Sequence, residues 1–245
     1  MSSVYILGNR VDSLTLAEAV DRVAGFIAAG TPHQVVTLNA EIAYRAYREA
    51  RLQEVINRAA LVTADGAGIV WAARKLGTPL PQRVTGIDLL EALAEAGSRQ
   101  GWRFYLYGAA PGVAARAAKR LTVTYPGLKI AGSSHGYLAA ADMPQLLAEI
   151  KAARPQVLLV GLGAPKQEYW IAEHLQELEI PVAMGVGGSF DVLAGVAKRA
   201  PLWLQRLNLE WLYRIITGKR FKRALALPRF MLAVLQEARD KRQNP

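Results

Sequence analysis

The chain has 245 residues, of which 52% are hydrophobic, and it contains no cysteine. This composition excludes disulfides and thiolate metal sites, and it provides enough apolar residues for a packed core. The formal net charge is +10, from 30 basic and 20 acidic residues. Residues 196–245 hold 12 of the basic and 3 of the acidic residues, a net +9, which leaves 18 and 17 for the rest. A nearly neutral body is therefore followed by a basic tail.

The sequence predicts neither a signal for export nor a membrane-spanning helix. The first ten residues lack the basic start, apolar run and cleavage site of a signal peptide. The longest weakly charged stretch, residues 180–197, contains Asp191 and several glycines, and fits a strand, a turn and a helix. We expect a soluble or peripheral protein, and the lack of cysteine fits a reducing compartment.

Short apolar runs alternate with longer amphipathic segments along the body. In the first such segment, Leu16, Val20, Val23 and Ile27 recur at helical spacing. Runs of this kind predict strands buried on both faces of a sheet. The predicted strands are residues 4–7, 34–38, 60–64, 104–107, 129–132, 157–160 and 182–186. The alternation predicts an α/β fold with a Rossmann-like, mostly parallel sheet flanked by helices.

The tail has a different pattern, typical of basic amphipathic helices. One helix is predicted over residues 202–217, with Trp211 on its apolar face and Gly218 ending it. A second begins near Phe221, and Pro228 is expected to kink or break it.

Two domains follow from this change of pattern. Residues 1–195 are expected to form an α/β domain that carries the chemistry, and residues 196–245 a helical C-terminal appendage that docks on an anionic partner.

Polar and glycine-rich segments follow the predicted strands. They are residues 37–41, 64–66, 107–109, 135–137, 161–168 and 185–191. Because ligands of parallel sheets bind beyond the carboxyl ends of the strands, these segments predict one functional rim. Glycine permits close approach of the backbone, and helix N-termini offer amides to phosphate. Neither G-x-x-x-x-G-K-[S/T] nor G-x-G-x-x-G occurs, so phosphate binding and purely steric turns remain alternatives.

Metal ligands are not grouped in the sequence. No two aspartates are spaced i, i+2, and the three histidines are far apart. An Asp-x-Asp clamp for a sugar nucleotide is therefore missing. The pattern favours a mechanism without metal or other cofactor, in which a diphosphate is neutralised by Arg, Lys and backbone amides.

Several rim residues have two interpretations. Asp65 is either the N-cap of the following helix or a general base. Thr37 and Asn39 carry the same ambiguity, and Asp191 either binds a ribose hydroxyl or caps a helix. Lys166 either begins an ordinary solvated helical turn or faces an anion.

Taken together, the rim segments resemble the WecG/TagA/CpsF glycosyltransferases. Each motif alone is unspecific, but their order over roughly residues 35–230 makes the likeness strong. The motifs are Thr37-x-Asn39-Ala40-Glu41, Ala64-Asp65-Gly66-x-Gly68, Arg83-x-x-Gly86-x-Asp88, His135-Gly136-Tyr137, Pro165-Lys166-Gln167-Glu168-x-Trp170, Gly185-Val186-Gly187-Gly188-x-Phe190-Asp191, Arg199-Ala200-Pro201-x-Trp203 and Leu209-Glu210-Trp211-x-Tyr213-Arg214.

The resemblance implies a cytoplasmic enzyme, peripheral on the inner face of the cell membrane. It implies inverting, metal-independent transfer of N-acetylmannosamine from UDP-N-acetylmannosamine to the 4-hydroxyl of N-acetylglucosamine on undecaprenyl diphosphate. The product would be the linkage unit of wall teichoic acid. UDP-N-acetylmannosaminuronic acid or another UDP-sugar is the alternative donor. The appendage would dock on an anionic membrane surface and help complete the active site, and homo-oligomers would hide that surface.

The resemblance also implies roles for individual residues. Asp65 becomes the catalytic base that takes the proton of the acceptor hydroxyl. The other catalytic residues would be Thr37, Asn39, Gln167 and Arg83. UDP-sugar would be held by Gly136, Tyr137, Lys166, Gly187, Gly188 and Asp191. The leaving diphosphate would meet Arg214, Arg220 or Arg223. In the family an arginine pair follows the tail's first helix, whereas here Phe221 follows Arg220, so the choice among these cations stays open.

Two other functional classes fit parts of the sequence. A basic tail suits nucleic acid, but here aromatic residues interrupt the charges, which favours an interfacial helix and no nucleic-acid partner. These aromatic residues are Trp203, Trp211, Tyr213, Phe221 and Phe230. An NAD-dependent oxidoreductase lacks its glycine fingerprint. The simplest alternative for the tail is that its apolar residues are ordinary core.

Overall fold

The computed structural model describes residues 2–198, 200–201, 204 and 226–243. Within them, strands and helices alternate as the sequence predicts. The elements are β1 (Ser3–Ile6), β2 (Asn9–Asp12), α1 (Leu16–Ala29), β3 (His33–Leu38), α2 (Ala40–Arg48), α3 (Ala50–Arg58), β4 (Leu61–Ala64), α4 (Ala67–Lys75), α5 (Gly86–Gln100), β5 (Arg103–Gly108), α6 (Val113–Thr124), β6 (Lys129–Ser134), α7 (Met143–Ala153), β7 (Val157–Gly161), α8 (Lys166–Leu178), β8 (Val182–Gly185), α9 (Ser189–Leu193) and α10 (Ala226–Gln243).

Six parallel strands form the central sheet, in the order β4-β3-β8-β7-β5-β6. All five residues of β7 are buried, as are all four of β4 and of β8, which is the burial expected of strands covered on both faces. The predicted Rossmann-like α/β fold is confirmed.

The first predicted strand belongs to a separate sheet. β1 pairs with β2 in an antiparallel hairpin. Leu7 and Gly8 form its two-residue turn, and both have positive φ, 50° and 76°, as turns that match the twist of a hairpin require.

Strand β2 was not predicted because its sequence is mostly polar. Asn9 is nevertheless fully buried, and Asp12 is nearly so. The Asp12 carboxylate accepts a hydrogen bond of 2.8 Å from the amide of Val62 in β4. Polar side chains that bond backbone groups therefore attach the hairpin to the main sheet.

Alternate residues of the strands enter different cores. Val157 and Leu159 of β7 pack with α1, α5, α6 and α9, whereas Leu158 and Val160 pack with α7 and α8. At the other end of the sheet, Val62 packs with the hairpin, α2, α3, α4 and α10. Two helical layers thus enclose the sheet.

Helix α10 shares this last core. It packs against α2 and α4, and Phe230 and Val234 are fully buried. Phe230 is therefore a core residue, and its assignment to an interfacial face was wrong. Pro228 is the third residue of α10, which continues unbroken to Gln243. The predicted helix over residues 202–217, with Gly218, and the start of the next near Phe221 lie outside the described residues.

Among the described helices, none combines the length and the apolar character needed to cross a bilayer. The boundary between residues 1–195 and 196–245 stays a prediction.

Candidate active site

Four loops meet at the carboxyl end of the sheet. The Ala109 amide donates to the Gly161 carbonyl, and the Gly136 amide donates to the Ala109 carbonyl, both at 2.9 Å. The Val186 amide donates to the Val160 carbonyl at the same distance. Adjacent strands β5 and β7 lead to opposite edges, since β5 continues to β6 and β7 to β8. This divergence marks the position at which open α/β sheets form a crevice for ligands.

Glycines make the close approach of these loops possible. Gly108 has φ of +130°, and a Cβ there would lie 2.5 Å from the carbonyl carbon and oxygen of Gly161. A Cβ on Gly136 would lie 2.7 Å from a methyl carbon of Leu162 and 3.2 Å from the Cα of Gly108. The wall of the crevice is therefore backbone, and Gly136 lies where the sequence predicts.

The loop after β8 is held by a side chain from α8. Gln167 accepts a hydrogen bond of 2.9 Å from the Gly187 amide through Oε1. Its Nε2 donates to Oε1 of Glu168, also at 2.9 Å. Gln167 is only 2% exposed, whereas Lys166 is exposed. The interpretation of residues 166–168 as an ordinary solvated first turn is therefore wrong for Gln167 and Glu168 and holds only for Lys166.

Glu168 is the polar residue for which the sequence suggested no role. It is 1% exposed, and burial raises the pKa of its carboxyl. Its Oε2 atom is buried and has no hydrogen-bond partner among the described residues. Its backbone carbonyl accepts from Nε2 of Gln34. No feature of a single sequence distinguishes this buried glutamate from a solvated one in the first turn of a helix.

Two predicted catalytic residues, one in β3 and one directly after it, have structural contacts. The Thr37 hydroxyl is buried and donates to the Gly185 carbonyl at 3.3 Å, which joins β3 to β8. Asn39 is the N-cap of α2, and its Oδ1 accepts from the Ile42 amide at 3.1 Å. For Asn39 the capping interpretation is confirmed.

Asp65 lies at the same rim, beyond β4. Its amide donates to the Leu38 carbonyl at 2.8 Å, so it lies beside the end of β3. The N-cap position of α4 is Gly66, so Asp65 stands one residue before that position. Arg83 precedes Val84, whose amide donates to the Ala64 carbonyl, and it is half-buried next to the strand that leads to Asp65.

Of the remaining predicted residues, some lie in the described part of the chain and some lie outside it. Tyr137 is 75% exposed beyond β6, and its amide donates to Nδ1 of His135. Asp191 is half-buried in α9, whose N-cap position is Gly188, so it does not cap that helix. Arg214, Arg220 and Arg223 lie outside the described residues.

The structure therefore gathers the predicted body residues at one rim. Asn39, Asp65 and Arg83 lie at the ends of β3 and β4, and Gln167 with the Gly187–Gly188 turn lies at the end of β8. The hydrogen bond from Thr37 links the two groups. Within the part of the chain that the structure describes, no cluster of three or more His, Asp or Glu could hold a metal ion.

Helix α10 borders this rim. A Cβ on Gly68 would lie 2.9 Å from Cβ of Ala40 and 3.4 Å from a methyl carbon of Leu227, so the first turns of α2, α4 and α10 meet there. The far end of α10 reaches the hairpin, where Glu237 accepts a 2.9 Å hydrogen bond from the Leu7 amide. The appendage thus ends in a helix that joins the rim to the N-terminal hairpin.

A parallel α/β sheet with glycine-rich loops and a carboxylate at the carboxyl ends of its strands is an architecture that binds ligands at that rim. The model of the WecG/TagA/CpsF glycosyl transferase family matches residues 4–244, and the chain belongs to this family. The predicted resemblance is confirmed, and the protein is a glycosyltransferase.

Two relatives carry the same enzyme name, N-acetylglucosaminyldiphosphoundecaprenol N-acetyl-beta-D-mannosaminyltransferase. The protein from Staphylococcus aureus is 36% identical over 241 residues, which are 97% of this chain and 94% of the relative. The protein from Bacillus spizizenii is 37% identical over 206 residues, which are 84% of this chain and 79% of the relative.

Proposed function

We propose that this protein transfers N-acetylmannosamine from UDP-N-acetylmannosamine to the 4-hydroxyl of N-acetylglucosamine on undecaprenyl diphosphate. The names of its relatives supply the acceptor and the transferred sugar. The observation that carries the proposal is that Asp65 and Arg83 share a rim with a glycine-lined crevice. We further propose that the reaction proceeds with inversion and without a metal.

Inversion requires the base and the leaving group on opposite sides of the anomeric carbon. Asp65 follows β4 and the Gly187–Gly188 turn follows β8, with β3 between them. Two strand spacings separate them by about 10 Å, which leaves room for a sugar ring. Asp65 takes the proton of the acceptor hydroxyl as its oxygen attacks the anomeric carbon. The bond from that carbon to the UDP oxygen breaks, and UDP leaves with the electron pair.

The departing diphosphate gains negative charge and needs cations. We assign this role to Arg83 in the body and to Arg214, Arg220 or Arg223 in the tail. The Gly187 amide already donates a hydrogen bond to Gln167, so it is not available to a phosphate oxygen. We therefore assign Gly187 to shaping the turn.

The rest of the donor is assigned to residues around the crevice. Gly136, Tyr137, Lys166, Gly188 and Asp191 are the contacts that we propose for the donor. Thr37, Asn39 and Gln167 form the supporting framework of the reaction site, because their side chains fix β3, α2 and the β8 loop.

The exposed face of α10 supports docking on an anionic membrane. Met231, Leu232 and Leu235 are 38%, 64% and 39% exposed, and Arg229 and Arg239 are exposed on the same helix. Apolar side chains flanked by cations suit the interface of a bilayer. We propose that this face contacts the inner surface of the cell membrane, and a second copy of the chain when no membrane is present.

The function is tested with the full-length protein, UDP-N-acetylmannosamine and a polyprenyl-diphosphate N-acetylglucosamine analogue. We expect UDP release that EDTA does not reduce. Asp65→Asn should lower kcat by about 10²–10⁴-fold, because the general base is lost, while UDP affinity stays within about twofold of wild type. No UDP release above background, or unchanged turnover in Asp65→Asn, would contradict the proposal.

The donor is tested separately by thermal shift with a panel of UDP-sugars. The preferred donor stabilises the folded state by mass action. The largest shift is expected with UDP-N-acetylmannosamine. A larger shift with UDP-N-acetylmannosaminuronic acid would mean that this sugar nucleotide is the donor, while the proposed class of reaction would stay the same.

A further inference from the structure

A relay of buried polar groups runs from α8 to the loop after β8. Glu168 Oε1 accepts from Gln167 Nε2, and Gln167 Oε1 accepts from the Gly187 amide, each at 2.9 Å. Glu168 and Gln167 are 1% and 2% exposed. The relay therefore ends at the Gly187–Gly188 turn without contact with solvent along its length.

The chemistry of the relay determines its direction. A backbone N–H can only donate, so the oxygen of the Gln167 amide must face Gly187. The nitrogen of the same amide then faces Glu168, which has to supply an acceptor. Gly185 closes the remaining side, since a Cβ there would lie 2.6 Å from Gln167 Nε2. The Gly187 amide and the Glu168 carboxyl group together thus fix which way the Gln167 amide points.

This arrangement is costly for stability. Buried polar groups lose their hydration, and Glu168 Oε2 has no hydrogen-bond partner among the described residues. Burial raises the pKa of Glu168, which favours the neutral acid, and its carbonyl oxygen still accepts from Gln167. An apolar side chain of similar length would remove the unpaired Oε2 atom, but it would leave Gln167 Nε2 without an acceptor. A costly group beside a binding loop is a candidate for a functional role.

We propose that Glu168 is a positioning residue, which orients Gln167 and thereby holds the Gly187–Gly188 turn in the form that receives the donor's diphosphate. The inference rests on the proposed function in so far as this turn binds UDP. Glu168 itself touches no substrate, because its side chain is buried beneath Gln167.

Matched substitutions at Glu168 test the relay in the full-length protein. Glu168→Met keeps the length of the side chain but removes the oxygen acceptor, and Glu168→Gln keeps an acceptor. Calorimetric titration with UDP should show about tenfold weaker binding for Glu168→Met, the effect of one lost hydrogen bond. Its Tm should change little, because the loss of an unpaired carboxylate oxygen offsets the unpaired Gln167 Nε2 that remains, and Glu168→Gln should bind UDP within about twofold of wild type.

A double-mutant cycle distinguishes positioning from a merely structural role. If Glu168 acts through Gln167, Glu168→Met should weaken UDP binding no further in a Gln167→Ala background. Independent, additive losses would overturn the proposal, as would a lower Tm with unchanged UDP affinity.

Hydrogen exchange of the Gly187 amide, followed by NMR, reports on the relay without any ligand. Glu168→Met should accelerate this exchange and Glu168→Gln should not. Accelerated exchange in a protein whose wild type binds no UDP would support the relay and reject the proposed UDP site. Unchanged exchange would overturn the relay. Glu168→Ala is the second variant, and failure of both variants to fold would make the role structural and overturn the proposal.

Discussion

Gly108 occupies the tightest contact of the rim. Its φ of +130° is unfavourable for any other residue, and a Cβ would meet the Gly161 backbone at 2.5 Å. Backbone cannot move aside as a flexible side chain can, so the loops after β5 and β7 would have to separate.

Gly108→Ala should therefore destabilise the protein by about 1–3 kcal/mol, the usual cost of such strain, and weaken UDP binding. Gly25→Ala is the matched control. Gly25 lies in α1, and a methyl group added there would meet nothing within 4 Å, so alanine should stabilise the helix by about 0.5–1 kcal/mol. Both changes are measured by denaturant unfolding, and equal effects of the two substitutions would refute the close contact.

Tyr169 links α8 to the start of α3. Its hydroxyl donates to Glu49, and the Arg51 guanidinium lies 4.9 Å from the centre of its ring. Burial, then the hydrogen bond to Glu49 and its negative charge, raise the pKa of Tyr169 from 10.0 to about 12. The folded state therefore retains the phenolic proton to higher pH than the unfolded chain.

This shift predicts a pH-dependent contribution to stability. The unfolded chain loses the proton first, so the contribution is complete below pH 10 and is lost as the pH rises towards about 12. Unfolding free energies of wild type and Tyr169→Phe should differ by a constant amount between neutral pH and pH 10 and converge above it. At acidic pH the difference should also shrink, because the Tyr169 hydroxyl lowers the pKa of Glu49. A difference that grows above pH 10 would contradict the assignment.

The residue types at the rim were predictable, but their partners were not. Asp65, Gly136 and the Gly187–Gly188 turn follow apolar runs, and the topology of parallel sheets places such positions at one rim. The cap formed by Asn39 is a local bond to the Ile42 amide, and the sequence offered it as an alternative. The burial of Gln167 and Glu168 depends on contacts between residues far apart in sequence. Local pattern contains no information about those contacts.

At the scale of elements, the buried strands were the most predictable part. Five of the six strands are short, mostly buried apolar runs, because both of their faces are covered, whereas the edge strand β6 is only partly buried. Strand β2 of the hairpin was missed because its polar side chains are buried and form hydrogen bonds with backbone groups. Helix α10 was predicted only in part. Its mixture of basic and apolar residues predicted an exposed amphipathic face, but not that Phe230 and Val234 on its other face belong to the core.

The two faces of α10 should separate stability from membrane binding. Phe230→Ala should lower stability by about 3–5 kcal/mol, because it leaves a cavity in the core. Leu232→Asp, at a side chain that is 64% exposed, should alter stability by no more than about 0.5 kcal/mol. Flotation with anionic vesicles should show several-fold weaker binding for Leu232→Asp only.

The same flotation assay separates the possible anionic partners. If the protein is retained on duplex DNA at physiological salt and does not bind vesicles, its anionic partner is nucleic acid and not a membrane. Equal loss of stability in the two α10 variants would contradict the division into a buried and an exposed face.

At the scale of the whole molecule, body and appendage are interdependent. The proposed boundary near residue 195 follows the change of charge, yet Phe230 and Val234 belong to the same core as the hairpin, α2 and α4. Charge patterning revealed where the tail begins, but contacts over more than 150 residues of sequence determine where α10 packs.

A chain truncated after Arg199 should be both a poor enzyme and a less stable protein. It lacks the tail cations that we assign to the diphosphate, and it exposes the apolar faces of α2 and α4. We expect a lower Tm, increased binding of a hydrophobic dye, and little UDP release with the lipid acceptor. Full turnover by the truncated chain would refute the contribution of the appendage.

The contact between Glu237 and the Leu7 amide has a consequence for biosynthesis. Domains generally fold from the N-terminus as the ribosome releases them. Here the hairpin, α2 and α4 are among the first elements translated, but their core is completed only by Phe230 and Val234. The growing polypeptide must therefore carry an unfinished apolar surface until translation has passed α10, so the packing of α10 comes late in the folding of the enzyme.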